Sequence, residues 1–347
     1  MKVQTTVRDV ERALENVAPS RLAENWDNVG LMVGDRTALV TKILLALDPM
    51  AEVLAEAADS GCDCVVTHHP LFFTPLARMD LSEPVAREAA FCVAHGLTLL
   101  CAHTNLDKAP GGVNAQLANR LGLTEVTGLG PAQPVELCRV AAIAPPGRDK
   151  AVEKVLASFS SRRVESLSHR LEIRVEAVVA RRDLTAVSAA LKNAAPDSGG
   201  FLEAWPLLNH ENAFHLGLVG RIPEPMTLSD LARWAGRRLS APGVKSAGDP
   251  DLWVKRVAVC AGSGGGMVKS FYASGAQAFI TGDVRYHDAR DVAARGLGIV
   301  DVGHYASERL ALHGLAEALA KEFARQDRAV DLIVSEREHD PFALAGA

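Results

Sequence analysis

Blocks of helical periodicity alternate along this chain with short, unbroken apolar runs. From Val7 to Val17 apolar residues recur every three to four positions, which predicts an amphipathic helix. Lys42 to Leu47, "KILLAL", is a continuous apolar run and predicts a buried strand. Pro49 to Ser60 is rich in Ala and Glu and reads as a helix, and Cys62 to Thr67 as the next strand. "EPVAREAAFCVAHG" is a helix closed by Gly96, a residue suited to the left-handed turn that ends helices. "LTLLCAH" is a further strand and Asn114 to Leu121 a further helix. Strands alternating with helices predict a mainly parallel or mixed α/β sheet flanked by helices.

The middle of the chain has a different rhythm. "CRVAAIAPPGRDKAVEKVLASF" reads strand, turn, helix, and "RLEIRVEAVVARRDLTAVSAALKNAAP" reads strand, helix. "GGFLEAWPLLN" closes the segment as a strand. That β-α-β-β-α-β order predicts a ferredoxin-like inserted domain over residues 136–208. It interrupts an α/β domain made of residues 1–135 and 209–347. In the second part "MTLSDLARWAGRRL" is a helix with Thr227 near its N-cap. "VKRVAVC", "QAFITGD" and "LGIVDVGH" are strands, "ASERLALHGLAEALAKEFARQ" one long helix, and "AVDLIVSE" a late strand.

Composition narrows the function classes. With 347 residues, 48% of them hydrophobic and 23% charged, the chain is a folded globular protein. The net charge of −5 and the lack of a basic stripe argue against nucleic acid as partner; the densest basic spot, Arg162-Arg163, reads as a solvated face. No stretch reaches the ~18 apolar residues a membrane span needs, and the N-terminus has no signal-peptide core. The six cysteines lie mostly in apolar, strand-like stretches, which points to reduced, buried thiols and a cytoplasmic location.

The candidate chemistry sits where strands stop. One ends at Thr67-His68-His69, another at "HTNLD" with His103, Asn105 and Asp107. A third ends at "TGDVRYHD" with Asp283, His287 and Asp288, a fourth at "GHYASE" with His304 and Glu308. Ligands of open α/β sheets bind beyond the carboxyl ends of strands, so the four segments are placed to converge. His304 and Glu308, four apart at a helix start, share one helical face. Adjacent residues leaving a strand splay, so His68 and His69 reach two neighbouring ions better than one; Pro70 keeps His69 extended. A lone histidine at a strand end is ordinarily a hydrogen-bonded surface residue, and the coincidence of four such ends is what favours a metal site. Imidazoles with carboxylates suit Zn, Fe, Mn, Ni or Cu. "AGSGGGMVKS" lacks the Walker spacing and reads as a tight strand-to-helix turn. In "ENWDNVGLMVGD", Trp26 reads as core, and Asp27 and Asn28 as turn caps or supports of the site.

"WDNVGLMVG", "VVTHHPLFF", "HTNLDKAPGGVNAQLA", "GSGGG", "TGDVRYHDARD", "GHYASE" and "VSEREHDPF" occur in this order. Through them the chain resembles the NIF-three-like family of dinuclear metal-centre proteins, the GTP cyclohydrolase I type 2 homologues. The middle resembles the PII/CutA-like insert of the longer bacterial members, shortened between Ser160 and Arg174. The resemblance implies two divalent metal cations per subunit, of Zn, Fe or Mn type, held by His68, His69, Asp107, His304 and Glu308, with Glu308 as bridge. It also implies a homo-oligomer, a toroidal hexamer, and a hydrolase acting on a small molecule such as a nucleotide. GTP ring opening and phosphoester cleavage are the candidate reactions, with His103 and His287 as proton shuttles or as residues orienting the ligands. The alternative is a non-catalytic metal-binding ring with a regulatory or partner-binding role.

Overall fold

The computed structural model describes residues 4–130, 133–135, 137–144, 147–160, 164–169, 172–196, 202–207 and 211–343; Arg162-Arg163 lies outside them. The chain divides into two compact units, Met1–Pro131 with His215–Ala347, and Ala132–Phe214.

The first unit is mixed α/β and contains two sheets. One has the strand order Gly30–Val33, Thr98–Cys101, Cys64–Thr67, Lys42–Ala46, Asp331–Val334. Only the Gly30–Val33 edge runs antiparallel. Successive side chains point to opposite faces of a strand. Leu44, Ala46, Val65 and Leu99 pack on Val53, Leu54, Ala57, Ala89 and Cys92 of two helices. Their alternates Ile43, Leu45, Cys64, Val66 and Leu100 are equally buried. A sheet covered on both faces needs apolar residues at every position, which is why "KILLAL" and "TLLC" are runs without alternation.

The second sheet has the order Lys245–Ala247, Gly298–Asp301, Ala278–Gly282, Trp253–Ser263, Gly217–Thr227, Thr124–Leu129. Trp253–Ser263, Ala278–Gly282 and Gly298–Asp301 are parallel, and the other pairings antiparallel. Three strands escape the pattern of the sequence. Gly30–Val33 is short and only half-buried. Thr124–Leu129 is an edge strand exposed over most of its length. Gly217–Thr227 contains Pro223 and Pro225 and shifts register between Arg221 and Met226, a signature that argues against a strand when read as sequence. The expected single long helix is two, His304–Glu308 and Ala311–Arg325. At the junction the Leu312 N–H bonds back to Arg309 O, a tight turn that sets a short site-bearing helix apart from a packing helix.

The second unit runs strand Leu137–Ala144, helix Asp149–Phe159, strands Glu165–His169 and Glu172–Ala180, helix Leu184–Ala194, strand Leu202–Pro206. Its antiparallel sheet has the order Leu202–Pro206, Leu137–Ala144, Glu172–Ala180, Glu165–His169. Val140, Ala142, Val175 and Ala177 pack there with Val152, Leu156, Val187 and Leu191 of its helices.

All six cysteines are free and buried. Among the described residues no helix is long and apolar enough to cross a membrane. Trp26 is not core: it is 62% exposed. The late "VSEREHDPF" segment is tied to the helix Ala51–Asp59 and to the end of the strand Lys42–Ala46 by two buried carboxylates. Glu56 accepts hydrogen bonds from Ser335 Oγ, Glu336 N and Arg337 N, and Glu338 accepts from Leu47 N and Asp48 N. Glu56→Ala leaves those donors without their acceptor, at about 1–3 kcal/mol. Denaturant unfolding should show that loss, and unchanged stability would contradict this role.

Candidate metal centre

Two parallel strand pairs deliver the site. Thr67 lies beside Cys101 in one sheet, and Thr281 beside Asp301 in the other. Beyond Thr67 the backbone stays paired for two more residues: His68 N–H donates to Ala46 O and His69 N–H to Leu47 O. The two imidazoles therefore leave a held backbone, not a free loop. Their rings lie 4.9 Å apart, tilted by 49°. From the other sheet, Gly303 caps the helix that carries His304 and Glu308 one turn apart.

These side chains converge. His68 Nε2 is 3.6 Å from Asp107 Oδ1 and 3.7 Å from Glu308 Oε1. His69 Nε2 and His304 Nε2 lie 3.3 Å apart and approach Glu308 Oε2 to 3.1 and 3.0 Å. Neither approach to Glu308 Oε2 has hydrogen-bond geometry. That oxygen, Asp107 Oδ1 and His68 Nε2 are buried without a hydrogen-bond partner among the described residues. An unsatisfied buried polar atom costs roughly 1–3 kcal/mol, so three in one place are expensive to hold together. Bound cations would supply the missing partners, and imidazole with carboxylate is the donor set of transition-metal ions. The residues fit a metal.

Each imidazole is aimed by its other nitrogen. Nδ1 donates to Ala102 O in His68, to Asp48 Oδ1 in His69 and to Asp283 Oδ2 in His304, at 2.7–2.9 Å. A carbonyl or carboxylate acceptor places the proton on Nδ1 and leaves the Nε2 lone pair facing the cluster, as second partners of metal-binding histidines do. Asp283 holds this position with φ of +52°, a conformation side chains rarely adopt and one found where a site over-determines the backbone.

Charge sharpens the picture. Burial pulls the His69 imidazolium down, but the carboxylates of Asp48 and Glu308 outweigh it and hold its pKa up to about 10. Burial opposes Glu308 and Asp283 in the same way at His304, which rises to about 9. Burial raises the Asp107 carboxyl, helped by the neighbouring Glu308 charge. Glu308 is driven well below the usual carboxylate range, against its burial, by the three imidazoles around it. Without a cation the cluster retains protons, and a cation would displace them.

His103 joins this group. Its Nδ1 donates to Asp27 Oδ1 at 2.8 Å, and its ring lies 5.1 Å from that of His68 and 5.5 Å from that of His69. The Asp27 carboxylate, despite burial, is lowered to about 2 by hydrogen bonds from His103 and Thr104. His287 is not brought in: it is exposed on the helix Tyr286–Ala294, edge-on to Tyr286, and belongs to none of the candidate ligand groups among the described residues. Asn105 instead anchors Ala18 O, and Asp288 pairs with Arg285. A cavity of about 600 Å³ opens on His69 and His304, lined also by Asp48, Asp283, Tyr305 and Phe342.

Several residues of the site were not singled out from sequence. Asp48 follows the strand Lys42–Ala46, at a carboxyl end like those that carry the other candidate ligands. Asn114 donates to the backbone carbonyl of Asp107 and accepts from Ala261 N, tying the main chain that carries Asp107 to the strand Trp253–Ser263. Gly262 is left-handed at φ +61°, and a Cβ there would sit 2.2 Å from Glu308 Oε1. Its motif "AGSGGGMVKS" does form the expected strand-to-helix turn, through Gly264–Met267.

The model of the Duf34/NIF3 (NGG1p interacting factor 3) family matches residues 5–341. A Bacillus subtilis protein named GTP cyclohydrolase 1 type 2 homolog is 28% identical over 366 residues, covering 97% of this chain and 98% of that protein. A Staphylococcus aureus (strain MRSA252) protein of the same name is 29% identical over 370 residues, covering 97% and 99%. Among solved structures, a Bacillus cereus protein related to NIF3 matches with a TM-score of 0.82 at 28% identity, over 98% of this chain and 99% of that one. Staphylococcus aureus protein SA1388 matches with a TM-score of 0.78 at 27% identity, over 98% and 99%.

Gly262→Ala should displace Glu308 and strip bound metal, with about 1–2 kcal/mol lost to the left-handed backbone. Elemental analysis alongside denaturant unfolding separates the two effects, and undiminished metal content would contradict the close approach.

Proposed function

This chain belongs to the Duf34/NIF3 family, and we propose that its imidazole–carboxylate cluster holds two divalent metal ions, of Zn, Fe or Mn type, that serve a hydrolytic reaction. One observation carries the reading. The candidate ligands include two sets that share a carboxylate: His68, Asp107 and Glu308, and His69, His304 and Glu308. Glu308 offers one oxygen to each side, as a bridging ligand does. Five protein ligands leave coordination positions open, the mark of catalytic rather than structural sites.

Held by His68, His69, Asp107, His304 and Glu308, such ions would supply an acidified water and polarise the bond under attack. The protein's own groups do the rest. Asp48, Asp283 and the Ala102 carbonyl keep three imidazoles aimed, and Glu308 stays ionised. His103, oriented by Asp27, presents Nε2 at the edge of the cluster, where it can accept a proton from water or donate one to a leaving group. The substrate is a small molecule. The name carried by the relatives points to GTP ring opening, and phosphoester cleavage would use the same groups.

The second unit is read as ferredoxin-like, on the strength of its β-α-β-β-α-β order. The assembly is read as a toroidal homohexamer; exposed Leu76, Met79 and Leu81 suit a subunit contact.

Metal uptake should release protons and tighten as pH rises from the ordinary histidine range toward 9–10. Protonated His69 and His304 cannot ligate, and their raised pKa values mean that protons compete up to that range. Calorimetry in buffers of different ionisation enthalpy reads the released protons; pH-independent uptake would contradict the ligand set. Metal-loaded protein should turn over GTP or a phosphoester. His68→Ala should abolish turnover, and His103→Gln should lower kcat about 10²- to 10⁴-fold with metal retained. No turnover on a broad panel, with metal still bound, would favour a non-catalytic role.

A further inference from the structure

Beside the candidate metal centre stand two aromatic side chains that the core does not use. Trp26 is 62% exposed and Phe73 56% exposed. Both present themselves to the same group: the Trp26 ring lies 6.0 Å from the His103 ring at 74°, and the Phe73 ring 5.9 Å from it at 79°. His103 in turn is within candidate ligand distance of His68 and His69.

The backbone on either side of Trp26 and before Phe73 is held by hydrogen bonds of neighbouring residues. Around Trp26, Glu24 N–H donates to Thr104 Oγ1 at 2.9 Å, and Asp27 accepts from His103 Nδ1 and Thr104 N. Asp27 N–H closes a turn onto Glu24 O. Asn28 Nδ2 donates to Phe72 O at 2.6 Å and so holds the "PLFF" segment from the same short stretch. One five-residue run, Glu24 to Asn28, thus places both aromatics around one imidazole. Large, rigid, exposed aromatic side chains on a fixed backbone are pre-organised for binding, because little side-chain freedom remains to be lost.

We propose that Trp26 and Phe73 form an aromatic clamp beside His103 that binds a planar, heteroaromatic ring of the substrate and presents it to the metal centre. A small, flat occupant suits two exposed aromatic side chains that both stand edge-on to the His103 imidazole. Stacking on aromatic side chains tolerates different bases, so the clamp selects a ring, not a particular pattern of substituents. The proposal rests on the reading of the cluster as a metal centre of a hydrolase. It assigns to "WDN" and "PLFF" the role of specificity elements.

The test uses full-length, metal-loaded protein with guanosine as the planar probe and pyrophosphate as a metal-directed probe without a ring. Guanosine should quench the fluorescence of Trp26, and Trp26→Phe should lose that quench while binding guanosine within about threefold of wild type. Trp26→Ala and Phe73→Ala should each weaken guanosine about tenfold and leave pyrophosphate affinity and metal content unchanged. Equal guanosine affinity in wild type and both alanine variants, or no guanosine binding to wild type, would overturn the proposal. So would variants that change only the oligomeric mass, which would assign the two side chains to a subunit contact. Binding is read without turnover, so a protein that binds the ring but hydrolyses nothing would sink the hydrolase reading and leave the clamp standing.

Discussion

A buried carboxylate with no hydrogen bond to its inner oxygen is the constraint around which the first unit is arranged. Glu308 is 3% exposed and has imidazole nitrogens on both sides. An isolated buried charge is prohibitive, and a charge enclosed by neutral or protonated imidazoles still needs each of them aimed. The two sheets supply the aim. The Cys64–Thr67 strand and its pairing beyond Thr67 fix His68 and His69. The Gly298–Asp301 strand and the short helix after it fix His304 and Glu308. Gly262 gives Glu308 its space, and Ser307 Oγ accepts from Gly262 N–H, locking the helix to that strand.

Which parts of this arrangement could be read from the residues follows from where their causes lie. Buried parallel strands were legible because a sheet covered on both faces needs unbroken apolar runs, as in "KILLAL". Their carboxyl ends marked His68, His69, His103, Asp107, His304 and Glu308, and the structure brings these together. The division of the strands between two sheets was not legible, because adjacency of strands leaves no local mark on sequence. The strands Thr124–Leu129 and Gly217–Thr227 were hidden by exposure and by proline. Trp26 was misread because a large apolar side chain is ordinarily buried; only the fold shows its ring turned to solvent beside His103. Asp48 and Asp283 act on their histidines through space, across 21 residues of chain in each case. His287 shares the motif of Asp283 but lies on the far side of the turn into the helix, where the backbone carries it outward.

The shared character of Glu308 gives the adjacent histidines their distinct places. His68 faces Asp107 and one oxygen of Glu308, and His69 faces His304 and the other. Anomalous diffraction from crystals of the metal-loaded protein tests this most directly. The account expects two peaks, one bounded by His68 and Asp107 and the other by His69 and His304, with Glu308 between them. A single peak, or both His68 and His69 on one ion, would contradict it.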